Sequence, residues 1–145
     1  MFLQAGLSKL LDPDWSAGGF LGGVPEANPF IELFTWFAGN TAVIDPLVIY
    51  GQVLIGLALI LGVFFRFTAL AGALQMLLFW LASFEGGITQ GLPVEHGYLV
   101  NDVLVYALLM FGLGALGAGR LYGLDRKLEE HSLVEKYPWL KYLLG

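Results

Sequence analysis

The stretch Asp45-Pro46-Leu-Val-Ile-Tyr-Gly-Gln-Val-Leu-Ile-Gly-Leu-Ala-Leu-Ile-Leu-Gly-Val-Phe-Phe65-Arg66 decides which solvent this chain folds in. Asp45 and Pro46 form a helix-start pair, a capping side chain followed by a residue suited to the first helical position. From Pro46 to Phe65 there is no charge, and at about 1.5 Å per residue the run rises about 30 Å, the thickness of a bilayer's hydrocarbon core. The reading is a membrane-spanning helix that ends at Arg66. The apolar run Phe67 to Phe84 follows almost at once and rises about 27 Å, so the two segments make a helical hairpin turning at Arg66.

Working outward, Tyr98 to Gly117 supplies a third apolar run long enough to span. The chain opens in Met1-Phe-Leu-Gln-Ala-Gly-Leu-Ser-Lys-Leu-Leu11, which as a helix rises only about 16 Å. It reads as the exit half of a first membrane helix, its entry half lying before this start, or as a re-entrant segment shielded by its neighbours. Between them, Asp12 to Thr41 is rich in turn formers, and within it Asn28-Pro29 launches a short helix over Phe30 to Ala38. Phe30, Leu33, Phe34 and Phe37 of that helix share one face, the pattern of a helix lying in the membrane interface. The fold class expected is all-α: an integral membrane four-helix bundle of three full spans and one half span, with short interfacial helices. The bundle covers 1–125, and 126–145 forms an amphipathic cytoplasmic tail.

Composition agrees. The chain has 145 residues, 57% hydrophobic and 13% charged, and a mean hydropathy of +0.73, outside the range of soluble domains of this size. Seven basic and twelve acidic residues leave a net charge of −5 and no broad basic surface, which excludes nucleic acid as a partner. The absence of cysteine removes disulfides, thiolate metal sites and a nucleophilic thiol. Arg66 and the tail residues Arg120, Arg126, Lys127, Lys136 and Lys141 fall on one side of the expected bundle, Lys9 on the other. By the positive-inside rule the C-terminus is cytoplasmic in a multi-pass cell-membrane protein. Small residues four apart, Ala58 with Gly62, Thr68 with Gly72, Ala69 with Ala73, Gly114 with Ala118 and Ala115 with Gly119, allow helix backbones to approach closely.

Polar residues inside the apolar segments carry the functional signal, because lipid penalises them. They are Gln4, Ser8, Gln52, Gln75, Asn101, Asp102 and Tyr106, with Tyr98 and the Glu95-His96 pair at the edge. Tyr98, Asp102 and Tyr106 recur at helical spacing with Asn101 beside them. Together with Gln52 they suggest a shallow polar pocket able to hydrogen-bond a ligand with an apolar body, such as a quinone head group. The competing reading makes Asn101 and Asp102 first-turn capping and dipole residues and Gln52 a helix-bridging amide. His96 and His131 fall on opposite sides of the expected membrane, so they cannot pair on one haem or metal, and no metal site is expected.

Three strings, Phe2-Leu-Gln-Ala-Gly-Leu-Ser-Lys-Leu-Leu-Asp-Pro13, Gly51-Gln-Val-Leu-Ile-Gly-Leu-Ala-Leu-Ile-Leu-Gly-Val-Phe-Phe-Arg66 and Gly117-Ala-Gly-Arg-Leu-Tyr-Gly-Leu-Asp-Arg126, resemble the DoxX/DoxD membrane proteins. That family includes the DoxD subunit of thiosulfate:quinone oxidoreductase. The resemblance implies a four-helix membrane bundle and quinone-linked electron transfer, with quinone as a substrate rather than a bound cofactor. It also implies a membrane or peripheral partner subunit. This chain departs from the family in lacking the entry half of the first helix, and in carrying Gln52 where a glutamate often stands. Lys9, the one basic residue on the acidic side, is the expected contact for an anionic donor such as thiosulfate. The alternative is a non-catalytic membrane subunit that organises a partner protein.

Overall fold

The computed structural model describes residues 1–85 and 100–145, and all of their regular structure is helical. The helices are α1 (Phe2–Leu10), α2 (Ala17–Leu21), α3 (Ile31–Gly39), α4 (Thr41–Leu61), α5 (Phe65–Ala82), α6 (Asp102–Leu116), α7 (Ala118–Tyr122), α8 (Asp125–Glu129) and α9 (Ser132–Lys136), followed by a 3-10 turn over Pro138–Tyr142. Two of them, α4 and α5, are long and apolar enough to cross a membrane. Each presents an exposed apolar face, Leu47, Leu54, Leu57 and Ile60 on α4 and Phe67, Leu70, Leu74 and Leu77 on α5. Water would penalise such faces, whereas lipid does not.

The four longest-packed helices run in sequence against one another, α1 on α4, α4 on α5 and α5 on α6, each antiparallel to the last. A β-carbon built on Gly6 would lie 2.7 Å from the Val53 backbone nitrogen, and one built on Gly56 would fall onto the backbone of Leu3. Gly114 meets the Ala69 side chain in the same way, at 2.8 Å. The α1–α4 contact is therefore backbone against backbone, and no rotamer change relieves an added methyl group. Gly56→Ala is expected to lose about 1–3 kcal/mol of stability in detergent unfolding followed by circular dichroism. Gly112→Ala is the control. No atom lies within 4 Å of its added carbon, so its stability should hold or rise slightly through helix propensity.

Helix boundaries differ from the sequence-based ones for identifiable reasons. Helix α4 begins at Thr41 rather than at Pro46, because Asn40 closes α3 and opens α4 at once, its backbone carbonyl accepting from Val43 and Ile44. Pro46 then sits inside the helix, where its missing N–H removes one intrahelical bond. Asp45 is not the cap of its own helix; its Oδ1 accepts the Ala17 N–H at 2.8 Å and so caps α2, together with the Ser16 hydroxyl that accepts from Gly18. Helix α6 starts at Asp102, fifteen residues long, rather than as a twenty-residue span from Tyr98, because the Asn101 side chain accepts the Leu104 N–H at 3.0 Å and ends the helix there. The inward face of α3 is Ile31, Phe34, Phe37 and Ala38, so Phe34 and Phe37 of the expected stripe pack inward while Phe30 and Leu33 remain exposed.

The hairpin turns at Gly62–Phe64, not at Arg66. Gly62 (φ +64°) and Phe64 (φ +48°) are both left-handed, a conformation that costs a non-glycine residue about 1–2 kcal/mol. What offsets it is Asp125, 0% exposed. One carboxylate oxygen accepts the Phe64 N–H at 2.7 Å, and the other accepts the Phe65 N–H at 2.8 Å and the Gly145 N–H at 2.8 Å. Consecutive N–H groups converge on one anion only because Phe64 is left-handed. Gly62 and Gly123 stack so closely that neither tolerates a β-carbon. Leu124 and Asp125 donate their N–H groups to Leu61 and Gly62. The C-terminal end thus returns to the α4–α5 hairpin, with Leu144 and Gly145 buried and Gly145 against Phe65 and Arg66.

Candidate functional site

Where α1, α4, α5 and α6 pack in sequence, Phe2, Met76 and Ala107 form a buried apolar cluster ringed by Ile55, Leu59, Phe79, Val103 and Met110. Gly72 marks one level of it, a β-carbon there lying 2.6 Å from Met110 Cε, 3.3 Å from Phe2 Cζ and 3.4 Å from Ile55 Cγ2. Gln52 stands one turn from Ile55, and Gln75 one turn from Gly72. Both lie ten residues from the hairpin, Gln52 before Gly62 and Gln75 after Phe65, which is about 15 Å along the helices and half the thickness of a hydrocarbon core.

Gln52 is 3% exposed, and the Oε1 atoms of both Gln52 and Gln75 are buried without a hydrogen-bond partner. Neither carbonyl oxygen can be satisfied by an aliphatic neighbour, and an unmatched buried acceptor costs about 1–3 kcal/mol. The two residues stand at one depth on neighbouring helices, and each carries a buried acceptor that no donor among the described residues meets. The chemistry they complement is a hydrogen-bond donor on an apolar body, a hydroxyl or an N–H.

The residues expected to line one pocket with Gln52 are placed differently. Asn101 is committed to the α6 cap. Asp102 is exposed in the first helical turn, and Tyr106 is 41% exposed. The buried residues of α6 are Ala107 and Gly114, and Asp102 and Tyr106 are among its exposed ones. Tyr98, Glu95 and His96 lie outside the described residues. Lys9 folds back on its own helix, its ammonium donating to the Ala5 carbonyl at 3.2 Å and resting 5.4 Å from the centre of the Trp15 ring. Among the described residues no group of three or more His, Cys, Asp or Glu side chains is placed to hold a metal.

Gln75 is one of the intramembrane polar residues, and nothing in its sequence neighbourhood assigns it a role. With the turn set at Arg66, Gln52 and Gln75 fall fourteen and nine residues away and at unequal depths. Only the turn at Gly62–Phe64 brings them level. A family model described as DoxX matches residues 1–84, more than half of the chain, and the matched stretch contains both glutamines and the hairpin. No curated protein and no solved structure matches.

Proposed function

This chain belongs to the DoxX family of membrane proteins, and we propose that it supports quinone-linked electron transfer as the quinone-side subunit of an oxidoreductase. The observation that carries this reading is the pair of partnerless, buried amide oxygens of Gln52 and Gln75. A reduced quinone presents hydroxyl donors on an apolar ring and tail, which is the ligand class two buried acceptors in an apolar cluster select. An amide binds such a hydroxyl without taking its proton. Gln52, where relatives of the resembled family often carry glutamate, therefore orients the ring, and the protons move elsewhere. Electrons reach the quinone from a donor that meets it directly or from a partner subunit, since the chain has no cysteine to carry them. Thiosulfate, the donor of the resembled oxidoreductase, is an anion, and Lys9 offers it an ammonium beside Trp15.

The test is thermal unfolding of the full chain in lipid nanodiscs, with and without excess quinol held reduced under nitrogen. Gln52→Met keeps an unbranched side chain of similar length and removes the amide. The ligand-free variant is expected to match or exceed wild-type stability by about 1 kcal/mol, because an unmatched acceptor is gone. Quinol should raise the melting temperature of wild type and leave the variant unchanged. An equal shift in both proteins, or none in wild type, would remove the quinone reading and leave that of a non-catalytic subunit organising a partner.

A further inference from the structure

Although the chain carries a net charge of −5 with seven Lys and Arg residues, three of those seven line one cavity. It has a volume of about 460 Å³ and is bounded by Arg66, Arg120, Pro138, Trp139, Lys141 and Tyr142. Arg66 comes from the first turn of α5, Arg120 from α7, and the rest from the C-terminal 3-10 turn. The wall contains no carboxylate. Arg120 is the partly neutralised member, its guanidinium bonded to Glu129 at 2.5–2.7 Å. Arg66 makes no ion pair among the described residues; its stem runs beside Gly145, and its guanidinium lies near the left-handed Gly117 that ends α6.

The level of this cavity follows from the helices around it. Arg66 immediately precedes the apolar body of α5, and Phe67 and Leu70 are exposed just beyond it, as are Leu113 and Leu116 on α6. Trp139 and Tyr142 are exposed at the cavity edge, the side chains that concentrate where head groups meet hydrocarbon. A cationic cavity at that depth, continuous with bare apolar helix faces, suits a phosphate joined to acyl chains better than a free anion, which would leave those faces unused.

We propose that the cavity bounded by Arg66, Arg120 and Lys141 binds the phosphate head group of an anionic phospholipid, with the acyl chains along the exposed faces of α5 and α6. This site is separate from the glutamine pair and does not depend on the quinone reading. The full chain in detergent micelles is titrated in turn with phosphatidylglycerol, phosphatidylcholine and inorganic phosphate, and occupancy is read by native mass spectrometry. Phosphatidylglycerol should bind at one saturable site more tightly than phosphatidylcholine. Arg66→Gln should weaken it about fivefold, the effect of one interfacial cation, and Arg66→Lys should retain most of the affinity. Lys141→Gln alters an exposed side chain with no ion pair among the described residues, and should weaken binding by a similar factor even if Arg66→Gln fails to fold. Equal affinity for the two lipids, unchanged affinity in Lys141→Gln, or displacement of the lipid by inorganic phosphate at equal concentration would each overturn the proposal.

Discussion

Asp125→Ala is expected to abolish the folded state of the hairpin end, the largest effect of any single substitution in this chain. The carboxylate accepts the N–H groups of Phe64, Phe65 and Gly145 at 2.7–2.8 Å from a fully buried position. Alanine leaves all three donors without an acceptor, at about 1–3 kcal/mol each, against a total stability of about 5–15 kcal/mol for a typical domain. The loss compounds, because Phe64 remains left-handed only while its N–H group has this anion to meet. Asp125→Asn keeps one acceptor oxygen and turns an amide N–H toward the other donors, so it should fall between alanine and wild type. Denaturation in mixed micelles, followed by far-ultraviolet circular dichroism, should rank wild type above Asn and Asn above Ala. If Asp125→Ala unfolds with the wild-type midpoint, the carboxylate is not what holds the turn.

The membrane character of the chain was legible because it is additive: no residue from Leu47 to Phe65 is charged, and the run is apolar as a whole although it contains Gln52. The residues that join elements were not legible, because their partners are remote in sequence. Nothing local in Val63-Phe64-Phe65 marks a turn, and the acceptor that makes it one lies some sixty positions later. Asp125 itself stands in the charged run Asp125-Arg126-Lys127, where nothing local marks it as buried, whereas Asp102 stands alone in an apolar stretch. In the structure Asp102 is exposed in the first turn of α6, the competing reading of that residue, while Asp125 is buried beside Gly119. Asp45-Pro46 failed as a helix start for the same reason: the capping carboxylate serves a different helix. Depth, too, depends on the turn. Misplacing it by a few residues separated Gln52 from Gln75, and with them the strongest feature of the candidate site.

Asn28→Asp should be nearly as damaging as Asp125→Ala, although it alters little more than one side-chain nitrogen. Asn28 is 2% exposed. Its Nδ2 lies 2.9 Å from the Leu81 carbonyl, 3.3 Å from that of Ala82 and 2.9 Å from that of Phe84, while its Oδ1 accepts the Phe30 N–H at 2.8 Å. One amide thus satisfies the C-terminal carbonyls of α5 and fixes the entry to α3, joining two elements more than fifty residues apart. Aspartate replaces the donor with an oxygen facing three carbonyl oxygens in a site that excludes water, and burying that unpaired charge costs several kcal/mol. Asn28→Ala removes the donor without introducing a charge and should cost less, about 1–3 kcal/mol, so the order Asp worse than Ala separates repulsion from simple loss of bonding. The introduced carboxyl should titrate above its unfolded value, because burial and the facing carbonyls disfavour its charged form. Protonation restores a donor, so the deficit should be full well above the raised folded value and shrink as pH falls through it toward the unfolded value. Denaturation midpoints of wild type, Asn28→Ala and Asn28→Asp across that range provide the check, and a pH-independent deficit for Asn28→Asp would show that the three carbonyls do not face the side chain.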